Sequence, residues 1–171
     1  MKKTIVSTVL LFFVAGITQL FAYVTPESGK VYRIHNVKSD KVISEDCIAR
    51  QLASVDAAGN DDFKQLWLLK ESNNGYTIQN AYSGQYLHHC AQQSTRIYPT
   101  GAEEAVMYLT QVNGTQYAIG QASGAYLHLD GSNNIVRWWD KDNTSSQWQF
   151  EEVKVSEEAI SLQQAAFQEF Y

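Results

Sequence analysis

The chain has 171 residues, enough for one domain of ordinary size and too few for two comfortable ones. Acidic residues outnumber basic ones by 18 to 13, and the net charge of −5 argues against a nucleic-acid partner, which needs clustered Lys and Arg. Two cysteines, Cys47 and Cys90, are too few for a disulfide scaffold.

Lys2 and Lys3 open the chain, an apolar run follows over Ile5–Ala15, and Gly16–Ala22 leads to Tyr23 and Pro26. This pattern predicts a secretory signal peptide over residues 1–22, and with it a secreted, cell-surface or periplasmic location. The run is short for a membrane span, which takes about 20 residues. Cleavage removes two Lys and no acid, so 13 basic residues become 11 against 18 acidic ones and −5 becomes −7.

From residue 29 to 153 the chain repeats itself. Tyr32-Arg33-Ile34, Tyr76-Thr77-Ile78 and Tyr117-Ala118-Ile119 share one alternating pattern, and Ile43, Leu87 and Leu127 follow each in turn. Trp67, Tyr108 and Trp148 form a third set in the same register, with a period of about 40 residues. Period-two alternation of aromatic and β-branched residues predicts strands. Turn signals at Asn73-Asn74-Gly75, Ser83-Gly84, Asn113-Gly114, Ser123-Gly124 and Asp130-Gly131 separate them. Each unit offers four short strands, so the three together predict an all-β fold. A propeller needs at least four blades. What remains is a β-trefoil, a six-stranded barrel closed by three hairpins, whose units bury their Tyr, Ile, Leu and Trp in one shared core.

The unit Tyr-x-Ile-x-Asn, Ser-Gly-x-Tyr-Leu, Gln-x-Trp resembles the ricin-type β-trefoil lectin module. Its Gln-x-Trp signature is complete at Gln65-Leu66-Trp67, becomes Val106-Met107-Tyr108 in the second unit and Ser146-Gln147-Trp148 in the third. The resemblance implies a carbohydrate partner. In such modules each unit can supply an Asp after its second strand, an aromatic near its third and a polar residue from the loop before Gln-x-Trp.

The third unit matches best. Asp130, one of the adjacent Trp138 and Trp139, Asn143 and Gln147 form the expected carbohydrate site; on a strand one of the two Trp faces in and the other out. A carboxylate or amide takes paired hydroxyls, and an aromatic face covers the C–H side of a sugar. Asp46, Asn60 and Gln65 are secondary candidates in the first unit, which lacks the aromatic. The second unit has Cys90 in place of the Asp, with Tyr98 beyond it. Cys47 and Cys90 are expected to be unpaired, since symmetry-related positions lie too far apart to bridge.

Enzyme signatures are absent: no nucleophile elbow, phosphate loop, zinc-protease motif or glycine fingerprint. In His88-His89-Cys90 only His88 and Cys90 share a strand face, so no metal or cofactor is expected. The chain therefore reads as a secreted, non-catalytic carbohydrate-binding module, alternatively as a structural or protease-inhibitor trefoil acting through Ile97–Ala105. Residues 154–171 contain no Gly or Pro and predict a helix capped by Ser156, with Ile160, Phe167, Phe170 and Tyr171 on one stripe. That stripe is expected to dock on the barrel or on an attached second domain, as beside the carbohydrate-active enzymes that the resemblance implies.

Overall fold

Six strands close into a ring, and each junction follows from the repeat. The computed structural model describes residues 22–88, 99, 106–121 and 124–170. In chain order the strands are β1 (Tyr23–Val24), β2 (Val31–Asn36), β3 (Val42–Asp46), β4 (Gln51–Val55), β5 (Leu66–Ser72) and β6 (Gly75–Asn80). There follow β7 (Tyr108–Asn113), β8 (Gln116–Gly120), β9 (Tyr126–Leu129), β10 (Ile135–Trp138) and β11 (Gln147–Glu152), then a helix α1 (Glu157–Phe170). The ring runs β2–β5–β6–β7–β8–β11 and returns to β2. The hairpins β3–β4 and β9–β10 cap it. Cys90, Tyr98 and most of the Ile97–Ala105 stretch lie outside the described residues, as does the chain up to residue 21.

The threefold pattern is visible in register. Trp67 stands opposite Tyr32, and Trp148 opposite Tyr117. Opposite Tyr76 stands Met107, not Tyr108. Met107 is fully buried, whereas Tyr108 is half-exposed, so the second unit fills the Trp place with a thioether and the sequence alignment was off by one residue. Both indoles donate to the strand carbonyl of the core residue one step earlier in their unit: Trp67 Nε1 to Ile43 at 3.0 Å and Trp148 Nε1 to Leu127 at 3.0 Å. Burying an indole costs little when its N–H finds such a partner. Tyr32, Ile34, Ile43, Leu69, Ile78, Leu87, Ile119, Leu127 and Phe150 complete the core.

The Asn of Tyr-x-Ile-x-Asn, present in units one and two, ties each of them to the unit before it around the ring. Asn36 Nδ2 donates to the Ser145 carbonyl (3.0 Å) and Asn80 Nδ2 to the Lys64 carbonyl (2.9 Å). Their Oδ1 atoms accept from the turn that follows, at Lys38 N and Tyr82 N. Gly75 is required where β6 meets β7, since a Cβ there would stand 2.7 Å from the Met107 carbonyl oxygen.

On β2 the outward side chains are buried too. Arg33 pairs with Glu151 (2.8 Å) and donates to Asn60 Oδ1 (3.1 Å), while His35 lies between Asp40 and Glu151, each at 2.9 Å. The loop through Gly59 and Asn60 and the ring of Tyr23 on β1 cover this charged layer. Charges taken out of water persist only when paired in this way.

The helix caps as expected: Ala159 N donates to Ser156 Oγ at 3.2 Å, and Glu157 and Glu158 sit in the first turn. Ile160 and Phe167 are buried against the barrel, Ile160 among Val31, Leu66, Ala81 and Val153 and Phe167 edge-on to Tyr82. Phe170 is 82% exposed, so the barrel covers only part of the expected stripe; Tyr171 lies outside the described residues.

Candidate functional site

The β9–β10 hairpin sets the geometry of lobe three. Val136 stands opposite His128, and Trp138 opposite Tyr126. His128 and Trp138 are therefore diagonal neighbours on one face, while Leu127, Leu129 and Ile135 fill the core from the other. The two rings stack at a tilt of 30°, centroids 5.5 Å apart. His128 Nδ1 lies 2.8 Å from the hydroxyl of Ser146, which closes a short 3-10 turn (Thr144–Ser146) and is fully buried. Burial holds the His128 pKa below the usual imidazole value; Lys38 acts in the same direction, Asp130 and Asp140 oppose it.

Trp139 diverges from Trp138. It is 49% exposed, with the Arg137 guanidinium 4.9 Å above its ring. Neither Trp belongs to the barrel core. The remaining expected residues are occupied by their own loops. Asp130 Oδ1 accepts from Ser132 N and Asn134 N, both at 2.8 Å, and Oδ2 accepts from Asn134 Nδ2 at 3.1 Å. Burial pushes this carboxyl up, but the Asn134 and Ser132 donors outweigh it and hold the pKa below the ordinary carboxylate value. Asn143 Oδ1 caps the turn through Ser145 N (2.9 Å). Gln147 is buried, its Nε2 donating to the Lys141 and Asp142 carbonyls at 3.2 and 3.1 Å.

Lobe one repeats this economy. Asp46 Oδ1 accepts from Ile48 N and Ala49 N (3.1 and 3.0 Å), and Asn60 is bound to Arg33. Gln65 Nε2 donates to the Asp56 carbonyl (3.1 Å) and its Oε1 accepts from Ala58 N (3.0 Å). Cys47 is half-buried and in no disulfide among the described residues, its thiol hydrogen-bonded to Glu45; burial and the Glu45 carboxylate push its pKa up to about 11. Such a thiol is unreactive at neutral pH.

Residues 18–97 match the ricin-type β-trefoil lectin domain-like family. Among solved structures the chain is similar to the Macrolepiota procera ricin B-like lectin in complex with lactose, at 20% identity and a TM-score of 0.67 over 76% of this chain and 100% of that one. The fold is that of the ricin-type β-trefoil lectins. The Polyporus squamosus lectin, bound to Neu5Acα2-6Galβ1-4GlcNAc, matches at 21% identity and a TM-score of 0.63, over 75% of this chain and 50% of that one. A GlcNAcα1-4Gal-releasing endo-β-galactosidase from Clostridium perfringens matches at 17% identity and a TM-score of 0.64, over 73% of this chain and 33% of the enzyme. No curated protein matches by sequence.

Within this β-trefoil, His128 and Ser146 are the residues that sequence reasoning passed over. Tyr-Leu-His recurs at His88 and His128, and strand-end polarity accounts for it equally well. Only the folded register shows that His128, Trp138 and Ser146 converge. The three lie on one ladder and one turn, a rigid setting for an aromatic platform with a polar edge.

Proposed function

We propose that this trefoil binds carbohydrate without catalysing any reaction, through the outer face of lobe three. The observation that carries the reading is the pairing of His128 and Trp138: an aromatic surface beside a hydrogen-bonding ring nitrogen, held by Ser146. A sugar offers an apolar C–H side and a polar rim, and this arrangement answers both. Asn143, exposed at the start of the turn that ends in Ser146, is the candidate rim of the site, and the exposed Trp139 is a second aromatic surface next to it in sequence; Asp130 and Gln147 set the hairpin and the loop on which the site stands. The sugar complexes of the two similar lectins support the reading.

The protein works outside the cytoplasm in this reading, its first 22 residues acting as a cleaved leader. The endo-β-galactosidase match, confined to one third of that enzyme, supports a second role as a targeting module docked to or fused with an enzyme through α1. One site of this size retains a single sugar weakly, with a dissociation constant on the order of millimolar; useful retention comes from multivalency.

A glycan array, followed by titration of the best ligand into wild type, His128→Ala and Trp138→Ala, tests the proposal. Binding that disappears in both folded variants supports it. A folded wild type that retains no glycan points instead to a structural or protein-binding trefoil.

A further inference from the structure

Among the described residues four large hydrophobic side chains are exposed, Ile48, Trp139, Leu162 and Phe170, and the last two stand on α1. Ile160 and Phe167 fix the helix to the barrel, so Phe170 belongs to a second flank that the barrel does not cover. That flank is concave. Phe170 stands at the rim of a groove of about 500 Å³, with Gln163, Ala166 and Phe167 of the helix as one wall and Tyr82, on the turn after β6, as the other. A protruding aromatic ring thus adjoins a groove of its own width.

The charges beside the groove are opposed. On the barrel side Lys64 Nζ lies 5.1 Å over the Tyr82 ring, and Glu45 and Cys47 feel it at longer range. On the helix side Glu169 follows about 100° round from Phe170 and about 200° from the buried Phe167, so it points away from the barrel. Lys64 and Glu169 are both exposed, and neither makes a salt bridge among the described residues. Tyr82 meets the helix at Phe167, so the two charges stand at nearly one level along α1. The groove therefore has a basic edge and an acidic edge, facing each other across an apolar floor.

Such a patch complements itself. A two-fold axis running along the groove, parallel to α1, lays each edge on the opposite edge of a second copy. Phe170 then falls against the other copy's Tyr82, and Glu169, farther from the axis, falls beside the other copy's Lys64. An axis across the groove would instead set Lys64 against Lys64 and Glu169 against Glu169. We infer that α1 pairs two copies of this chain in parallel, Phe170 of each filling the groove of the other and Glu169 of each facing Lys64 of the other. The contact is isologous and closes at two. The patch is small, so the pairing is reversible, in the micromolar range. It stands apart from the carbohydrate reading; with that reading it gives one particle two lobe-three sites, the multivalency that a weak site needs.

Sedimentation equilibrium of the leader-free chain across the micromolar range tests the inference, with thermal melting as the check on folding. A reversible monomer–dimer equilibrium is expected. Phe170→Ala should weaken it about a hundredfold, since two buried rings are lost, with melting unchanged because the ring is exposed in the monomer. Lys64→Glu and Glu169→Lys should each weaken it about tenfold, and the double variant should restore it. A monomer at every concentration overturns the inference and leaves both the carbohydrate reading and the enzyme-docking role of α1 standing. A dimer indifferent to Phe170→Ala, charge reversals that the double variant does not rescue, or species larger than a dimer overturn it as well.

Discussion

Lobes one and three use the same skeleton and arrive at different surfaces. Each has an indole donating to a strand carbonyl and an Asp closing the hairpin turn. They part on the second strand. Lobe three carries His128-Leu129 before its Asp, with Leu129 in the core and His128 outside. Lobe one carries Ser44-Glu45 in those places, and both are buried. Glu45 takes a short hydrogen bond from Ser83 of lobe two and also bonds Cys47. Lobe one thus uses the strand to join its neighbour, and lobe three leaves an aromatic face clear. Symmetry is kept where side chains meet at the barrel axis and is lost one residue away.

The largest effects test the shared skeleton. Trp67→Ala and Trp148→Ala should each lower unfolding free energy by about 3–5 kcal/mol in chemical denaturation. If they differ by more than that range, the two lobes are not equivalent supports. Met107→Ala, at the matching place in lobe two, should cost about 2–5 kcal/mol, whereas Tyr108→Ala should cost less because its ring is half-exposed.

Next come the hairpin turns. Asp130→Ala removes three charge-assisted hydrogen bonds and Asp46→Ala two. Asp130→Ala is expected to be the more damaging, by about 1–2 kcal/mol against wild type once exposure to solvent is allowed for. Ser156→Ala, which uncaps α1, should cost about 1 kcal/mol.

The smallest effect separates the lobes by sign. Burial raises the folded-state pKa of Glu45, with Ser83 and Cys47 opposing. The folded state then binds a proton more readily than the unfolded chain. Stability contributed at Glu45 is lost as pH rises from the unfolded carboxyl value through the raised folded one. Asp130 runs the other way: its lowered folded value contributes stability above the unfolded pKa that is lost as pH falls through the folded one. Glu45→Gln should therefore raise the melting temperature at neutral pH and lose that advantage in acid. Asp130→Asn should bring melting temperatures at neutral and acid pH closer together.

The barrel was readable because its period is written in large apolar residues, and these face inward whatever the loops do. The Trp place in lobe two was misread because Tyr108 is aromatic and Met107 is not; register is set by the Tyr76 pairing, which no spacing rule records. Asp130 and Asn143 were named for their chemistry, yet the same chemistry lets them close turns. Their carboxylate and amide oxygens are filled from within two to four residues, a local competition that sequence cannot weigh against a ligand. His128 and Ser146 were not paired because they stand on separate elements, 18 residues apart.

The ring shuts where β11 lies along β2, Phe150 opposite Ile34 and Trp148 opposite Asn36. The seam therefore joins the first and last strands of the barrel, and no shorter stretch of chain can complete it. Until β11 arrives, β2 has an open flank with unpaired amides and carbonyls, a template for misassociation. Closure over so long a span is also slow. A chain of this topology is at its most vulnerable while it is still being made.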